Sequence, residues 1–464
     1  MATLGQSVLS RSEAEGPLLS EGAVLVTVAL ATMLAPLNST MIAVALPRLM
    51  VEFGADLATS GWLVTSYLIT MACLQPVAGK LGDRFGRRPL ILGGLVFFAL
   101  SSVAAALASN LAWLLFFRVL QAIAGAIALP NGAALVREVV PAERRAARFG
   151  MVGAAVGLAA AAGPPLGGLL VEIAGWRAIF YVNLVLVVPA FLLGLRALPA
   201  RPARSSNAAF DLGGAALLLA VLAGTAGLLT QSRYHPGATW PLMGGGLLLA
   251  LAIFYLRHEW RHADPVLQPR FFLNPSFARA NAAIALSNLA MYSTLLAVPI
   301  LLAALPGWGS ARAGLVLTSM SATMVVCSPL GGRLSDRWGR RWPTVAGLGL
   351  LTLGLALLGL AGSAPVLPVL VGGLGVAGIG LGLSSAGMQS AAVEAVAKKE
   401  AGVASGIFST SRYLGSIVGS SVLPLLYHPG SGVEGFAPVL LMVVGAAFFS
   451  VVASLGLHHW PTAE

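Results

Sequence analysis

Charge is what this sequence has least of. Only 10% of its 464 residues are Asp, Glu, Lys or Arg, against about 25% in a soluble domain. So little charge cannot cover a water-facing surface for a chain this long, which excludes a soluble multidomain protein. Cysteine is nearly missing too. Cys73 and Cys327 are the two present; both lie in apolar runs without metal-ligand spacing, so they read as small core residues and a disulfide framework is excluded. No G-x-x-x-x-G-K-[ST] loop occurs, so any work done must draw on a gradient rather than on a P-loop nucleotide site. None of the 17 acids can be placed in the middle of an apolar run, and clustered acids or histidines at one depth, as a membrane enzyme would need, are wanting. The first 21 residues carry Arg11 but also Glu13, Glu15 and Glu21. The apolar stretch after them is long enough to span a bilayer, longer than the core of a cleaved signal peptide.

What is present is apolar. The chain is 57% hydrophobic with mean hydropathy +0.87 and 55 glycines, the composition of a polytopic membrane protein whose helices pack through small residues. Fourteen spans can be laid along it, many with short connections. The expected class is all-α. The expected division is a tail at 1–21, a six-helix bundle at 22–197, a linker with two extra spans at 198–276, a second six-helix bundle at 277–457 and a tail at 458–464. The net charge of +11 follows from where the basic residues fall. Arg48, Arg177, Arg233 and Arg312 lie on one side, Arg118 and Arg412 lie inside spans, and the remainder share the other side. The positive-inside rule then places both termini in the cytoplasm, and no nucleic acid is needed to explain the high pI.

One phrase occurs twice. Residues 79–88 read GKLGDRFGRR and residues 332–341 read GRLSDRWGRR. Each stands between two apolar runs, on the same side, a little over half a chain apart, as expected of parallel repeats in a duplicated transporter. A carboxylate among guanidiniums makes charge-assisted bonds that can break when helices separate. Gly79, Asp83, Arg84, Arg87 and Arg88, with Gly332, Asp336, Arg337, Arg340 and Arg341, are therefore expected to form a gating latch.

The phrase resembles motif A of the major facilitator superfamily, G-x-L-x-D-R-x-G-R-R. Two further stretches are similar to that superfamily's motifs. LLFFRVLQAIAGA in span four, with Arg118, Gln121 and Gly125, resembles motif B, although Ala122 stands where the family usually has Gly. GAAVGLAAAAGPPLGG in span five, with Gly153, Gly157, Gly163, Pro164, Gly167 and Gly168, resembles the antiporter motif C. WRAIFYVN at 176–183 is similar to the matching region of drug:proton antiporters with fourteen spans. The resemblance implies two bundles rocking around a central cavity, the Gly-Pro face of span five acting as a gasket, and multidrug-type efflux by proton antiport. It also implies a monomer with no enzymatic activity, and the composition points to the plasma (inner) membrane.

Arg118 and Arg412 would each cost at least ~2.5–3.5 kcal/mol to bury in a span, which points to coupling or cavity roles. Many relatives resembling this family carry an Asp in span one; here PLNSTMIAVALP has Asn38 at that place. Asn cannot titrate. Coupling would then fall to Asp83 with its arginines, to Glu138 or to Glu172, and a preference for cationic drugs loses its buried carboxylate. Asn38, Tyr67, Gln75, Gln121, Asn131, Asn288, Tyr292 and Gln389 are candidates to line a large, mostly apolar cavity for an amphipathic solute. A lipid or hydrophobic-metabolite exporter and an uncoupled facilitator are the alternatives. HEWRH at 258–262 matches H-E-x-x-H, but Arg257 and Arg261 flank it. It reads as a juxtamembrane charge cluster, so neither a metal nor a cofactor is expected.

Overall fold

In lipid every backbone polar group has to be satisfied internally, and a helix does this within one segment. The computed structural model describes residues 21–141, 145–199, 211–232, 239–262, 265–303, 305, 308–360, 367–397, 400–427 and 434–458. Among them the apolar runs form α-helices and no strand. These are α1 (Glu21–Phe53), α2 (Leu57–Phe85), α3 (Arg87–Ala106), α4 (Leu111–Val139), α5 (Arg145–Ala174), α6 (Ala178–Tyr181) and α7 (Asn183–Ala197). Next come α8 (Leu212–Gln231) and α9 (Thr239–Arg261). The second series is α10 (Pro275–Ala303), α11 (Ser310–Trp338), α12 (Arg341–Leu360), α13 (Leu367–Glu394), α14 (Ala401–Leu426) and α15 (Ala437–Ser454). The turns between them carry ordinary start signals. Asp56, Asn110 and Asp211 cap α2, α4 and α8 by accepting from Thr59 N (2.9 Å), Trp113 N (2.9 Å) and Gly214 N (2.7 Å).

The sequence predicts fourteen spans. Thirteen stretches among the described residues are long and apolar enough to cross a membrane, with α6 and α7 together forming one of them. The exception is α14, a helix of 26 residues. Before its last turn it carries Ser405, Ser409, Thr410, Ser411, Arg412, Ser416, Ser420 and Ser421. It takes its place by packing between α2, α10 and α8 rather than by apolarity alone.

The packing of α1–α7 is repeated in α10–α15. In the first set α1 lies on α5 and α7, α4 lies on α2 and α3, and α3 lies on α7. In the second set α10 lies on α14 and α15, α13 lies on α11 and α12, and α12 lies on α15. The two sets meet along three seams: α1 with α10, α2 with α14, and α5 with α11. The last two are the same seam with the sets exchanged, which is what a twofold axis between parallel repeats produces. The inserted α8 lies over the α2–α14 seam, and α9 lies on α8.

The repeated phrase has one backbone feature that only glycine meets easily. Gly86 (φ 90°, ψ 139°) ends α2 and Gly339 (φ 79°, ψ 171°) ends α11. A Cβ in this region costs about 1–3 kcal/mol. The two positions are equivalent in the two phrases, so both reverse the chain in the same way. Both phrases lie at one end of the bundle. The start of α5 lies at that end, and its far end meets the start of α11, so the end of α11 returns to it. This is the phrase end below; the other is the far end.

Candidate functional site

The middle of the first set is organised by Arg118. Its side chain is wholly buried, and such a charge is tolerated only where its donors find acceptors. Nε donates to Leu63 O on α2 (3.2 Å), and Nη1 donates to Gln121 Oε1 (2.7 Å) and to Asn38 Oδ1 on α1. The guanidinium lies over the Tyr67 ring, 4.3 Å from its centroid, an attractive placement for a cation. Gln121 Nε2 then donates to Ser102 Oγ on α3 (2.7 Å), which Asn183 of α7 also approaches (3.4 Å). One arginine thus ties three helices, α1, α2 and α4, while α3 joins through Gln121 and α7 through Ser102. None of these partners of Arg118 is a carboxylate.

The second set meets this knot at the α1–α10 and α2–α14 seams. Ser39 Oγ and Tyr292 Oη are 3.1 Å apart, and Gln75 Nε2 donates to Tyr413 Oη (3.1 Å). Tyr413 also packs on the apolar cluster of Tyr67, Met71, Ala122 and Ala126. Arg412 lies over the Tyr413 ring at 5.6 Å and within electrostatic reach of Tyr292. Three tyrosines and two arginines therefore converge where the sets touch. Unlike Arg118, Arg412 is half-buried.

Several residues expected to line a cavity do other work. Asn131 is fully buried and donates to Ala78 O and Ile127 O (both 2.9 Å), tying α2 to α4. Its Oδ1 packs so closely on Gly82 that a Cβ there would stand 1.6 Å away. Gln121 belongs to the Arg118 knot, and Asn288 is 5% exposed and donates within its own helix to Ile284 O (3.0 Å). Buried amides in lipid take the nearest carbonyl, which is why these three turn inward. Gln389 is exposed, near the phrase end of α13. Asn38, Tyr67, Gln75 and Tyr292 do gather at the midpoint.

The Gly-Pro face of α5 fills two seams at once. A Cβ at Gly163 would stand 1.7 Å from Thr40 Oγ1, and at Gly167 2.9 Å from Met41 Cα, both on α1. At Gly168 it would stand 2.4 Å from Ser310 O on α11, while one at Gly314 of α11 would stand 2.3 Å from Pro164 O. Gly157 reaches Val325 at 3.6 Å, whereas Gly153 meets nothing within 4 Å. Glu172, one turn further along, accepts from Ala311 N (3.0 Å). The start of α11 has no side-chain cap of its own, so a carboxylate of the opposite set supplies it and meets the positive end of the helix dipole. Nearby, Trp176 Nε1 (2.7 Å) and Arg177 (2.8 Å) both donate to the Glu52 carboxylate, pinning the α5–α6 turn to the end of α1.

At the phrase end the ion pairs among the described residues stay within each set. Arg87 pairs with Glu138 on α4, and Arg340 holds Glu394 on α13 (2.6 Å) and Asp336 (2.6 Å). Glu394 and Asp336 raise the Arg340 pKa further above its ordinary value, so its charge is permanent. Arg88 donates to Leu195 O at the end of α7 (2.7 Å). Arg84 and Arg337 are exposed, and Arg341 lies over Trp342 at 5.0 Å. These contacts tie each phrase to the fourth span of its own set through Glu138 and Glu394. The Asp83 side chain lies outside the described residues. The pairing of Arg87 and Arg340 with matching glutamates is legible only after α4 and α13 are aligned as equivalents.

A last cluster joins the inserted helices. Asp211, His258 and His262 offer ligand atoms all within 4.8 Å of one another. The sequence reading saw the two histidines and their flanking arginines but not Asp211, which stands 47 residues before His258 in the chain and reaches it by capping α8.

Comparison with known proteins agrees with this architecture. The family model described as Major Facilitator Superfamily matches residues 28–256 and 281–461. The chain is 33% identical over 452 residues to the uncharacterized MFS-type transporter YvkA of Bacillus subtilis (strain 168), covering 96% of this chain and 98% of that protein. It is 30% identical over 423 residues to the tetracenomycin C resistance and export protein of Streptomyces glaucescens, covering 87% and 75%. It is 27% identical over 404 residues to the multidrug transporter protein MdtP of Bacillus subtilis, covering 85% and 73%.

Proposed function

The chain belongs to the major facilitator superfamily of membrane transporters, and on that premise we propose that it is a secondary exporter of amphipathic small molecules. Export runs from the cytoplasm by proton antiport, with α1–α7 and α10–α15 as two bundles that rock about the Tyr67–Tyr292–Tyr413 cluster. On this reading the phrase end is cytoplasmic, which the distribution of basic residues supports. The observation that carries the reading is the seal at the far end. The Gly-Pro face of α5 lies backbone to backbone on α11, with Glu172 capping it, while the ion pairs among the described residues at the phrase end stay within each set. A transporter closed to the outside and ready to load from the cytoplasm has this arrangement.

The substrates are aromatic and neutral or anionic. Two arginines and three tyrosines meet at the midpoint, and the place of the usual span-one acid is taken by Asn38, which is bound to Arg118. Tyrosine faces suit planar solutes and the half-buried Arg412 suits a carboxylate or phenolate. Relatives named for tetracenomycin C export and for probable actinorhodin transport support an export role.

The test is proton movement on substrate addition, in proteoliposomes holding purified protein and a pH dye. Anionic and neutral aromatic compounds should drive dye quenching, with little response to aromatic cations. Arg412→Ala should lower the anion response about tenfold or more, the loss expected for one charge-assisted contact. Asn38 favours one competing reading, an uncoupled facilitator, since it cannot titrate. Transport that persists unchanged after the proton gradient is collapsed would establish the facilitator and overturn antiport.

A further inference from the structure

The inserted helices α8 and α9 end in a group of side chains that the transport reading does not use. We propose that Asp211, His258 and His262 form a binding site for one divalent transition-metal ion of the Zn2+ type, which staples the start of α8 to the end of α9.

The donor set is assembled by local structure. His258 stands in the last turn of α9 and His262 follows directly on its end, its N–H donating to His258 O (2.9 Å), with the two ring centroids 5.4 Å apart. Asp211 caps α8, and its Oδ1 accepts from Gly214 N (2.7 Å) and lies 2.8 Å from His258 Nε2. Its other oxygen, Oδ2, lies 3.8 Å from His262 Nδ1 and has no hydrogen-bond partner, although the residue is only 4% exposed. A buried carboxylate oxygen left so costs stability unless something binds it. One ligand atom from each residue lies within 4.8 Å of the others, and ligands around a tetrahedral Zn2+ stand about 3.3 Å apart at the usual ~2.0–2.1 Å bond lengths. Small rotations of the two rings close that difference.

Charge supports the same assignment. Burial pushes the Asp211 carboxyl up, but the His258 ring and the Gly214 N–H outweigh it and hold it below its ordinary value. A second buried carboxylate stands behind it. Glu259 is 1% exposed and its Oε2 accepts from Leu267 N (2.8 Å). Gly214 fits between the two acids: a Cβ there would stand 2.3 Å from Asp211 Oδ2 and 2.6 Å from Glu259 Oε1. The Asp211 carboxylate offsets part of the charge of Arg257 and Arg261. The arginines line, with Phe254 and the two histidines, an open cleft of about 290 Å³. The cleft leaves room for a water as fourth ligand. Two imidazoles and one carboxylate suit Zn2+, Ni2+ or Co2+ and not Ca2+ or Mg2+, which take oxygen alone. The site has a mechanical consequence, since α8 packs on α2 and on α14, one helix from each set.

The experiment is titration of Zn2+ into the full-length protein in detergent, purified through a tag without polyhistidine and followed by calorimetry. One Zn2+ per chain is expected, with affinity at least tenfold weaker in His262→Gln and again in His258→Gln. The Co2+ adduct should show the intense visible bands of a tetrahedral site. His458→Gln, on a histidine outside the cluster, should bind as the unaltered protein does. Because Asp211 also caps α8, the histidine variants carry the test, each checked for monodisperse elution. Absence of saturable binding would overturn the proposal, leaving a histidine–aspartate ion pair. So would one-to-one binding that survives unchanged in His258→Gln/His262→Gln. Neither result bears on the transport assay, which reads proton flux.

Discussion

Arg118 and Asn38 share a hydrogen bond, yet their loss should differ in size. Removing Asn38 leaves Nη1 of Arg118 still bonded to Gln121, so the cost is about one hydrogen bond, roughly 1 kcal/mol. Replacing Arg118 leaves Leu63 O, Asn38 Oδ1 and Gln121 Oε1 short of a donor at once, all buried. Lysine cannot repair this, because a single ammonium lacks the fork that reaches all three. Arg118→Lys should therefore destabilise the purified protein by about 2–3 kcal/mol or more, and Asn38→Ala by less than half of that. Thermal unfolding in detergent, followed by tryptophan fluorescence, checks it; equal losses would refute the three-acceptor picture. Asn38, Arg118 and Gln121 were all legible in the sequence as polar residues inside spans. Their mutual bonding was not. These helices are apolar on every side, so the sequence carries no phase that says which face of α1 turns toward α4. The bonds that Gln121, Asn131 and Asn288 make were not legible for that reason.

Helix lengths were the easiest elements to read, because a bilayer fixes them. Contacts between helices were harder. The Gly-Pro run of span five announced close packing, and the structure adds what it packs on: α1 through Gly163 and Gly167, α11 through Gly168. Glu172 was visible as an acid near a span end and as a coupling candidate, but not as a cap. Its function as a cap depends on α11 starting at Ser310 without a cap of its own, and the sequence does not place those ends side by side. A charged acceptor at a helix start contributes about 0.3–1 kcal/mol. Glu172→Gln should therefore raise the population open at the far end by about 2–5-fold, with little change in thermal stability, since the contact joins the sets and lies within neither. Spin labels near the starts of α6 and α11, read by pulsed electron resonance, measure that population. An unchanged distance distribution would remove Glu172 from the seal.

For the whole molecule, the twofold arrangement makes a sharper demand. Thr65 on α2 and Ser420 on α14 have their hydroxyl oxygens 2.8 Å apart, both buried, on the far-end side of the seam that also holds Gln75 and Tyr413. If the sets rock as rigid bodies, this contact has to open once in every cycle. The chain has only two native cysteines, Cys73 and Cys327, so Thr65→Cys/Ser420→Cys can be placed in a Cys73→Ser/Cys327→Ser background. A short thiol cross-linker should join the pair in high yield in the resting state. Transport should then fall to background and return on reduction of a cleavable linker, while substrate binding from the phrase end persists. Binding and transport lost together would mean that the linker distorts the Tyr413 site two turns away. Transport that continues with the pair joined would show that the α2–α14 seam stays closed throughout, and the motion would have to lie in the α5–α11 seam alone. The two seams are equivalent by symmetry, yet only one is covered by the inserted α8. The cross-link therefore also reads what the insertion does: a strap over a moving seam has to slide on one set, whereas a strap over a fixed seam can be glued to both.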